Sequence, residues 1–223
     1  MSDVLLGGPT ASDIFAIANS WVAQSHRNND LNDRAKGLGT TGDEVASKLY
    51  NPRNEITCEY ECHLEVGNLF IPVMGLVYNS YLITRAQITM TAEGFPRLSV
   101  TGHNHDDNAH HATTNPPVTY QSTITLAAQF GVPTMFGQSN ANCGKRGLTY
   151  TLECEHIDEP DGNGSHLAGE NGDGRETIVF EFSGVPSLDV VPSGWDQINN
   201  DGGDDNQDFD NETYNYYHRL ARD

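Results

Sequence analysis

The densest gathering of reactive side chains lies between His103 and His111, where His103, His105, Asp106, Asp107, His110 and His111 put six metal-competent groups into nine residues. Neutral imidazole and carboxylate groups are ligands for Zn²⁺ and other transition metals, and a loop leaving a strand can converge several of them. The chemistry on offer is metal binding or metal-assisted hydrolysis. The same residue types also make ordinary turn hydrogen bonds in a solvated or interface loop.

Spacing weighs against the metal. The run approaches the His-x-His-x-Asp-His arrangement of metallo-β-lactamase-like hydrolases, but Asn108 stands where the last His belongs. That fold also needs alternating strands and helices, which the chain does not offer. A second loop, Asp158 to Gly174, has the composition of a calcium site. Counted from Asp161, however, its sixth residue is His166 and its twelfth is Gly172, where an EF-hand needs Gly and a bidentate Glu. No Walker A, G-x-G-x-x-G, nucleophile elbow or H-E-x-x-H occurs. No catalytic, cofactor-binding or metal residue is therefore assigned, no cofactor is expected, and the chain reads as a non-enzyme.

The histidine loop leaves a hairpin. Leu82, Thr84, Ala86, Ile88 and Met90 share one face of its first strand, the turn contains Gly94, Phe95 and Pro96, and Leu98 and Val100 resume the apolar face. Ile56 to Val66 alternates more cleanly still. Ile56, Cys58, Tyr60, Cys62, Leu64 and Val66 face one way, and Glu59, Glu61, His63 and Glu65 the other. Asn68 to Met74, with Pro72 inside it, reads as an edge or crossing strand. Val118 to Phe130 predicts a further strand, with Tyr120, Ile124, Leu126, Ala128 and Phe130 inward. Leu148 to His156 and Glu176 to Gly184 predict a long hairpin closed by the loop Asp158 to Gly174.

The ends read differently. Ser12 or Asp13 can cap a helix with Ile14, Ile17, Ala18, Trp21 and Val22 on one stripe, ending near His26 and Arg27. Asn28 to Asp43 is polar and Gly-interrupted and predicts a long loop. Asp196 to Glu212 carries seven acidic residues and no basic one, the pattern of a solvated or partner-bound tail. The expectation is a mainly β protein: an antiparallel β-sandwich with one N-terminal helix, long loops and extended terminal arms. Its divisions are an arm, helix and loop over 1–55, a β-sandwich core over 56–184 and an acidic arm over 185–223.

With 223 residues the chain suits one sizeable domain. Its formal charge of −19, from 31 acidic and 12 basic residues, disfavours nonspecific attraction to nucleic acid or an anionic membrane. No apolar run approaches the roughly 20 residues of a membrane span, and no leader pattern opens the chain. Cys58 and Cys62 sit four apart on one strand, about 13 Å at roughly 3.3 Å per residue, too far to bridge each other. Both are expected as free core thiols, with a cross-strand bridge to Cys154 as the alternative.

The phrases YLITRAQITMTAEGFPRLSVTGHNHDDNAHH and TYTLECEHIDEPDGNGSHLAGENGDGRETIVFEFSG together resemble proteins of bacteriophage and prophage structural clusters, in which a hairpin ending FP-x-(L/I/V)-S-V-T-G precedes a second β-region. The similarity covers roughly Ile56 to Gly184, and within that group it is closest to tail-tube-like subunits. It implies a virion protein that self-assembles into stacked homo-oligomeric rings, meets other tail proteins, and lets DNA pass without specific binding. The histidine loop and the acidic C-terminal run depart from that pattern. Six subunits, a number taken from the family, would give a ring of −114 (6 × −19). Glu59, Glu61 and Glu65 are the expected lumen residues. A metal-dependent hydrolase or metal-binding protein using His103 to His111 and a β-sandwich binding module are the alternatives.

Overall fold

The computed structural model describes residues 15, 17, 21–64, 66–105, 118–129, 132–136, 144–160, 166–183, 190–201 and 211–220. Nine strands run through them: β1 (Trp21–Leu38), β2 (Glu44–Cys62), β3 (Val77–Tyr78), β4 (Tyr81–Thr91), β5 (Arg97–His105), β6 (Gly144–Pro160), β7 (His166–Ser183), β8 (Trp195–Asp201) and β9 (Asn211–Leu220). They form one sheet in the order β1-β2-β5-β4-β6-β7-β9-β8, with β3 folded back onto the start of β4. Every pairing is antiparallel. The mainly β, antiparallel architecture is the one the period-two alternation requires.

Antiparallel register turns that alternation into rows across the sheet. One core-facing row runs Tyr60, Leu98, Ile88, Tyr150, Ile178, Tyr216 from β2 to β9, and every member is buried. The next runs Cys58, Val100, Ala86, Leu152, Glu176, His218. The layer packed over these rows is mostly irregular chain with one 3-10 turn, Thr134–Phe136: Leu69, Met74, Tyr120, Ile124, Leu126, Ala128 and Phe136 are buried against them, as are Phe15 and Ile17. The Phe136 ring meets Tyr216, Phe180 and Trp195 at 4.9, 5.2 and 5.4 Å between centroids. The layering is sandwich-like, with a broad sheet on one side and this cover on the other.

Several expectations need correction. The stripe through Trp21 and Val22 does not continue a helix, because β1 starts at Trp21, opposite Cys62, and runs on to Leu38. The rest of that expected helix, apart from Phe15 and Ile17, lies outside the described residues. Residues 28–43, expected as a loop, are mostly β1, which pairs with β2 as far as Leu38 and Glu44. Most of 158–174 is strand as well, since β6 and β7 pair out to Pro160 and His166.

The faces of individual strands also differ. β2 ends at Cys62, so Leu64 and Val66 are exposed instead of inward. A bulge between Ile83 and Arg85 turns Ile83 into the core in place of Thr84. Residues 118–129 keep their alternating burial yet form no ladder, since their strand-type pairing is limited to isolated bridges, Met74 with Tyr120 and Asn68 with Ala127. The sheet does not stop at 184 either, because β9 pairs along β7 and buries Tyr214 and Tyr216.

Candidate functional site

The face of the sheet opposite the core is polar from edge to edge. Its rows run Val22, Glu61, Arg97, Thr89, Thr149, Val179, Asn215 and then Ser25, Glu59, Ser99, Gln87, Thr151, Thr177, Tyr217, Asp196. A third row runs Arg27, Thr57, Thr101, Arg85, Glu153, Arg175, Arg219. Glu59 and Glu61 stand on this face, as the alternation requires, while Glu65 lies outside the described residues. Ser99 Oγ donates to Glu59 at 2.8 Å, His63 Nε2 lies 2.9 Å from Glu61, and Arg97 is 3.8 Å away from Glu61.

The face is of mixed sign. Glu153 is approached by Arg175 at 2.5 Å and Arg85 at 3.8 Å, and Arg219 pairs with Asp173. Such exposed pairs add little stability. They do occupy three of the chain's 12 cations with carboxylates on the same surface. Glu153, Glu155, Asp173, Arg175, Tyr217 and Arg219 border an open polar depression.

The histidine cluster is described only where it joins the sheet. His105 closes β5, and Asp106, Asp107, His110 and His111 lie outside the described residues. His103 faces a side chain that the sequence did not connect to it: the His156 ring, on β6, has its centroid 4.5 Å from that of His103. His156 Nδ1 is 2.6 Å from Asn171 Oδ1, and Asn171, itself buried, donates from Nδ2 to the Val118 carbonyl at 2.9 Å. Among the described residues no group of three or more His, Cys, Asp or Glu is arranged to hold a metal.

A buried acid lies at the centre of the most extensive polar cluster. Glu176 is fully buried in the core-facing row between Leu152 and His218. Its Oε1 accepts from the Thr123 backbone N–H at 2.7 Å and the Tyr150 hydroxyl at 2.6 Å. Its Oε2 accepts from the Thr123 hydroxyl and lies 3.0 Å from His218 Nδ1. Trp195 stacks on the His218 ring at 5.2 Å. Burial, then the neighbouring Glu176 charge, pushes the Tyr150 phenol well above its ordinary range, so it stays a donor.

This group resembles a hydroxyl–imidazole–carboxylate relay in composition only. Thr123 Oγ1 and Glu176 both approach Nδ1 of His218, at 3.4 and 3.0 Å, whereas a relay uses opposite ring nitrogens. What the geometry does is clamp the cover, at Thr123, to the sheet. The sequence carried one sign of it: Glu176 has the same parity as Ile178 and Phe180, an acid on the core side of its strand.

Cys58, Cys62 and Cys154 are free and buried, as expected for core thiols. Burial pushes the Cys58 thiol up from 9.0 to about 11 and the Cys154 thiol to about 12. A raised thiol pKa means the native state holds its proton where the unfolded chain has lost it, so this contribution is intact below pH 9 and lost as pH rises through 11 to 12. Native protein at pH 8 should therefore leave Cys58 and Cys154 unmodified by an alkylating reagent, with both modified after denaturation, and urea midpoints should fall above pH 9. Mass spectrometry after a short native pulse checks the first, and rapid native labelling of either residue contradicts it.

Among the described residues no helix is long and apolar enough to cross a membrane. No protein-family model matches the sequence, and a comparison with curated proteins finds no match.

Proposed function

We propose that the chain is a virion structural subunit of the tail-tube kind, assembling side by side into rings whose inner wall is the polar face of the sheet. The observation that carries this reading is the sheet itself, eight strands wide along one path, apolar on one face and wet on the other, with β1 and β8, among the described residues, each paired on one side only. Edge strands with open N–H and C=O groups invite continuation by another chain. Joining β8 of one copy to β1 of the next would extend the polar rows that reach β8, such as the one ending at Asp196, into a neighbouring subunit. Copies related by a rotation that closes would form a ring.

A channel wall for DNA must not grip phosphate. The rows of this face set Glu59, Glu61, Glu153 and Asp196 against Arg27, Arg85, Arg97, Arg175 and Arg219, and the carboxylates beside Arg85, Arg97, Arg175 and Arg219 reduce their attraction for a passing phosphate. The resemblance of residues 56–184 to phage structural proteins points the same way. Electron microscopy of the concentrated full-length protein tests the reading. Rings or tubes with an open centre are expected. A protein that stays monomeric at high concentration and carries stoichiometric zinc by elemental analysis would overturn it in favour of the metal-binding alternative.

A further inference from the structure

His103 and His156 come from strands that are not neighbours, since β4 lies between β5 and β6 in the sheet. They meet past the last β4–β6 pair, Arg85 with Glu153, where the start of β4 bonds instead to residues 75–78. There Gly75 N–H donates to the Ile83 carbonyl at 2.8 Å, and Ile83 N–H to the Leu76 carbonyl at 2.9 Å. The two ring centroids are 4.5 Å apart, with planes tilted by 55°. Ladders hold both backbones: His103 pairs with Glu55 and Leu82, and His156 with Asn171.

The tautomer of His156 is set by its neighbours. Asn171 Nδ2 donates to the Val118 carbonyl at 2.9 Å, which leaves Oδ1 as the atom 2.6 Å from His156 Nδ1. An amide oxygen only accepts, so Nδ1 carries the proton and the neutral ring keeps its lone pair on Nε2. A metal-bound imidazole is built in the same way: its second nitrogen donates to an oxygen acceptor that fixes the ring and raises the basicity of the first. The Nε2 atoms of His156 and His103 both lie inside the protein.

The spacing suits one shared ion. With metal–nitrogen bonds of roughly 2.0–2.1 Å and about 1.1 Å from nitrogen to ring centre, a metal stands about 3.2 Å from each centroid. Two such rings at the tetrahedral angle have centroids about 5.2 Å apart, an opening of only about 0.7 Å from the observed 4.5 Å.

We propose that His103 and His156 form a two-imidazole site for Zn²⁺ or another divalent transition metal, with water in the remaining positions. The nitrogen donors select such ions over Ca²⁺ and Mg²⁺, which take oxygen ligands. The ion joins β5 to β6, which share no ladder among the described residues, and through Asn171 it braces the Val118 carbonyl of the cover. The site does not depend on the assembly reading, because a subunit can carry the ion whether or not copies form rings.

The test titrates zinc chloride into metal-stripped full-length protein by isothermal titration calorimetry, beside the variants H103N, H156N and H105N/H110N/H111N. The parent should take up one zinc per chain saturably, and H105N/H110N/H111N, which lacks the other histidines of the sequence cluster, should do the same. H103N and H156N, verified as folded by far-ultraviolet circular dichroism and native thiol protection, should each bind weaker by about tenfold or more. Zinc should raise the urea midpoint of the parent and leave theirs unchanged. A parent without saturable binding, loss of binding in H105N/H110N/H111N, or folded single variants that bind like the parent overturn the proposal. Long-range ¹H–¹⁵N spectra of H105N/H110N/H111N give a reading that needs no substitution inside the fold. Zinc should shift the ring nitrogens of two of its six remaining histidines (9 − 3), one of them in the Nδ1–H tautomer, and any other number overturns the proposal. Electron microscopy reads ring formation separately, so the metal site and the tube can each fail alone.

Discussion

Glu176→Ala is expected to cost about 3–5 kcal/mol of stability, since it removes a charged acceptor from several donors at once and each buried donor left without a partner costs about 1–3 kcal/mol. Four groups converge on this carboxylate: the Thr123 N–H, the Thr123 hydroxyl, the Tyr150 hydroxyl and His218 Nδ1. Alanine leaves them without that acceptor, and Leu152, the next residue of the row toward the centre of the sheet, offers none in its place. Tyr150 keeps a partner, because its hydroxyl also lies 2.8 Å from Ser122 Oγ. The Thr123 N–H has no such second contact within the cluster.

Glu176→Gln retains the shape and one acceptor oxygen, and should cost less, about 1–3 kcal/mol, the range for losing hydrogen bonds to a charged group. Urea denaturation of both variants measures this, and a cycle with Thr123→Val isolates the clamp from the rest of the core. An alanine variant as stable as its parent would show that the cover does not depend on Glu176.

The strands that were legible in the sequence are the ones with two different faces. β4, β5 and β6 are interior to the sheet, one side packed and the other wet, so alternation survives in Ile88, Leu98, Leu152 and their neighbours. Among the described residues β1 is an edge strand, paired with β2 alone. On its core-facing parity His26, opposite Cys58, and Asn28, opposite Ile56, remain exposed. With both faces wet, no period-two signal is written into Gln24 to Leu38, and the apolar spacing around Ile17, Trp21 and Val22 was free to read as a helix. The outer part of the β6–β7 pair was hidden because its glycines and acids break any period-two apolar pattern. Tertiary pairing, which no local pattern encodes, decided these segments.

The candidate surfaces divide along the same line. Glu59 and Glu61 were legible as a wet face because their strand is half buried. The arginine row could not be read, because Arg85, Glu153, Arg175 and Arg219 come from four strands and meet only through register. The His103–His156 approach is likewise a product of register, joining β5 to β6 across the start of β4. In Glu176 the sequence held a direct sign, an acid on core parity, whose meaning depends on Thr123 arriving from the cover.

Gly75→Ala should destabilise the protein by about 2–5 kcal/mol, combining left-handed backbone strain with forced overpacking. Gly75 has φ +80°, and a Cβ there would stand 2.3 Å from the Val118 carbonyl oxygen and 2.7 Å from Asn171 Nδ2. Neither side can yield easily. The Gly75 N–H donates to the Ile83 carbonyl at 2.8 Å, and the Val118 carbonyl is held by Asn171 Nδ2 at 2.9 Å. Gly174→Ala attacks the same junction from the sheet side, where the new methyl would lie 2.5 Å from the Tyr120 ring. That ring is pinned by its hydroxyl donating to the Gly172 carbonyl at 2.6 Å and by the Met74–Tyr120 bridge. Gly42→Ala is the control: its φ of +84° carries the same strain, but nothing lies within 4 Å of the new methyl, so it should cost only about 1–2 kcal/mol. Urea unfolding of the three variants separates strain from collision. Limited proteolysis should then show residues 118–129 cut first in Gly75→Ala and Gly174→Ala, and equal losses in all three variants would mean that the cover does not rest on the sheet at Gly75 and Gly174.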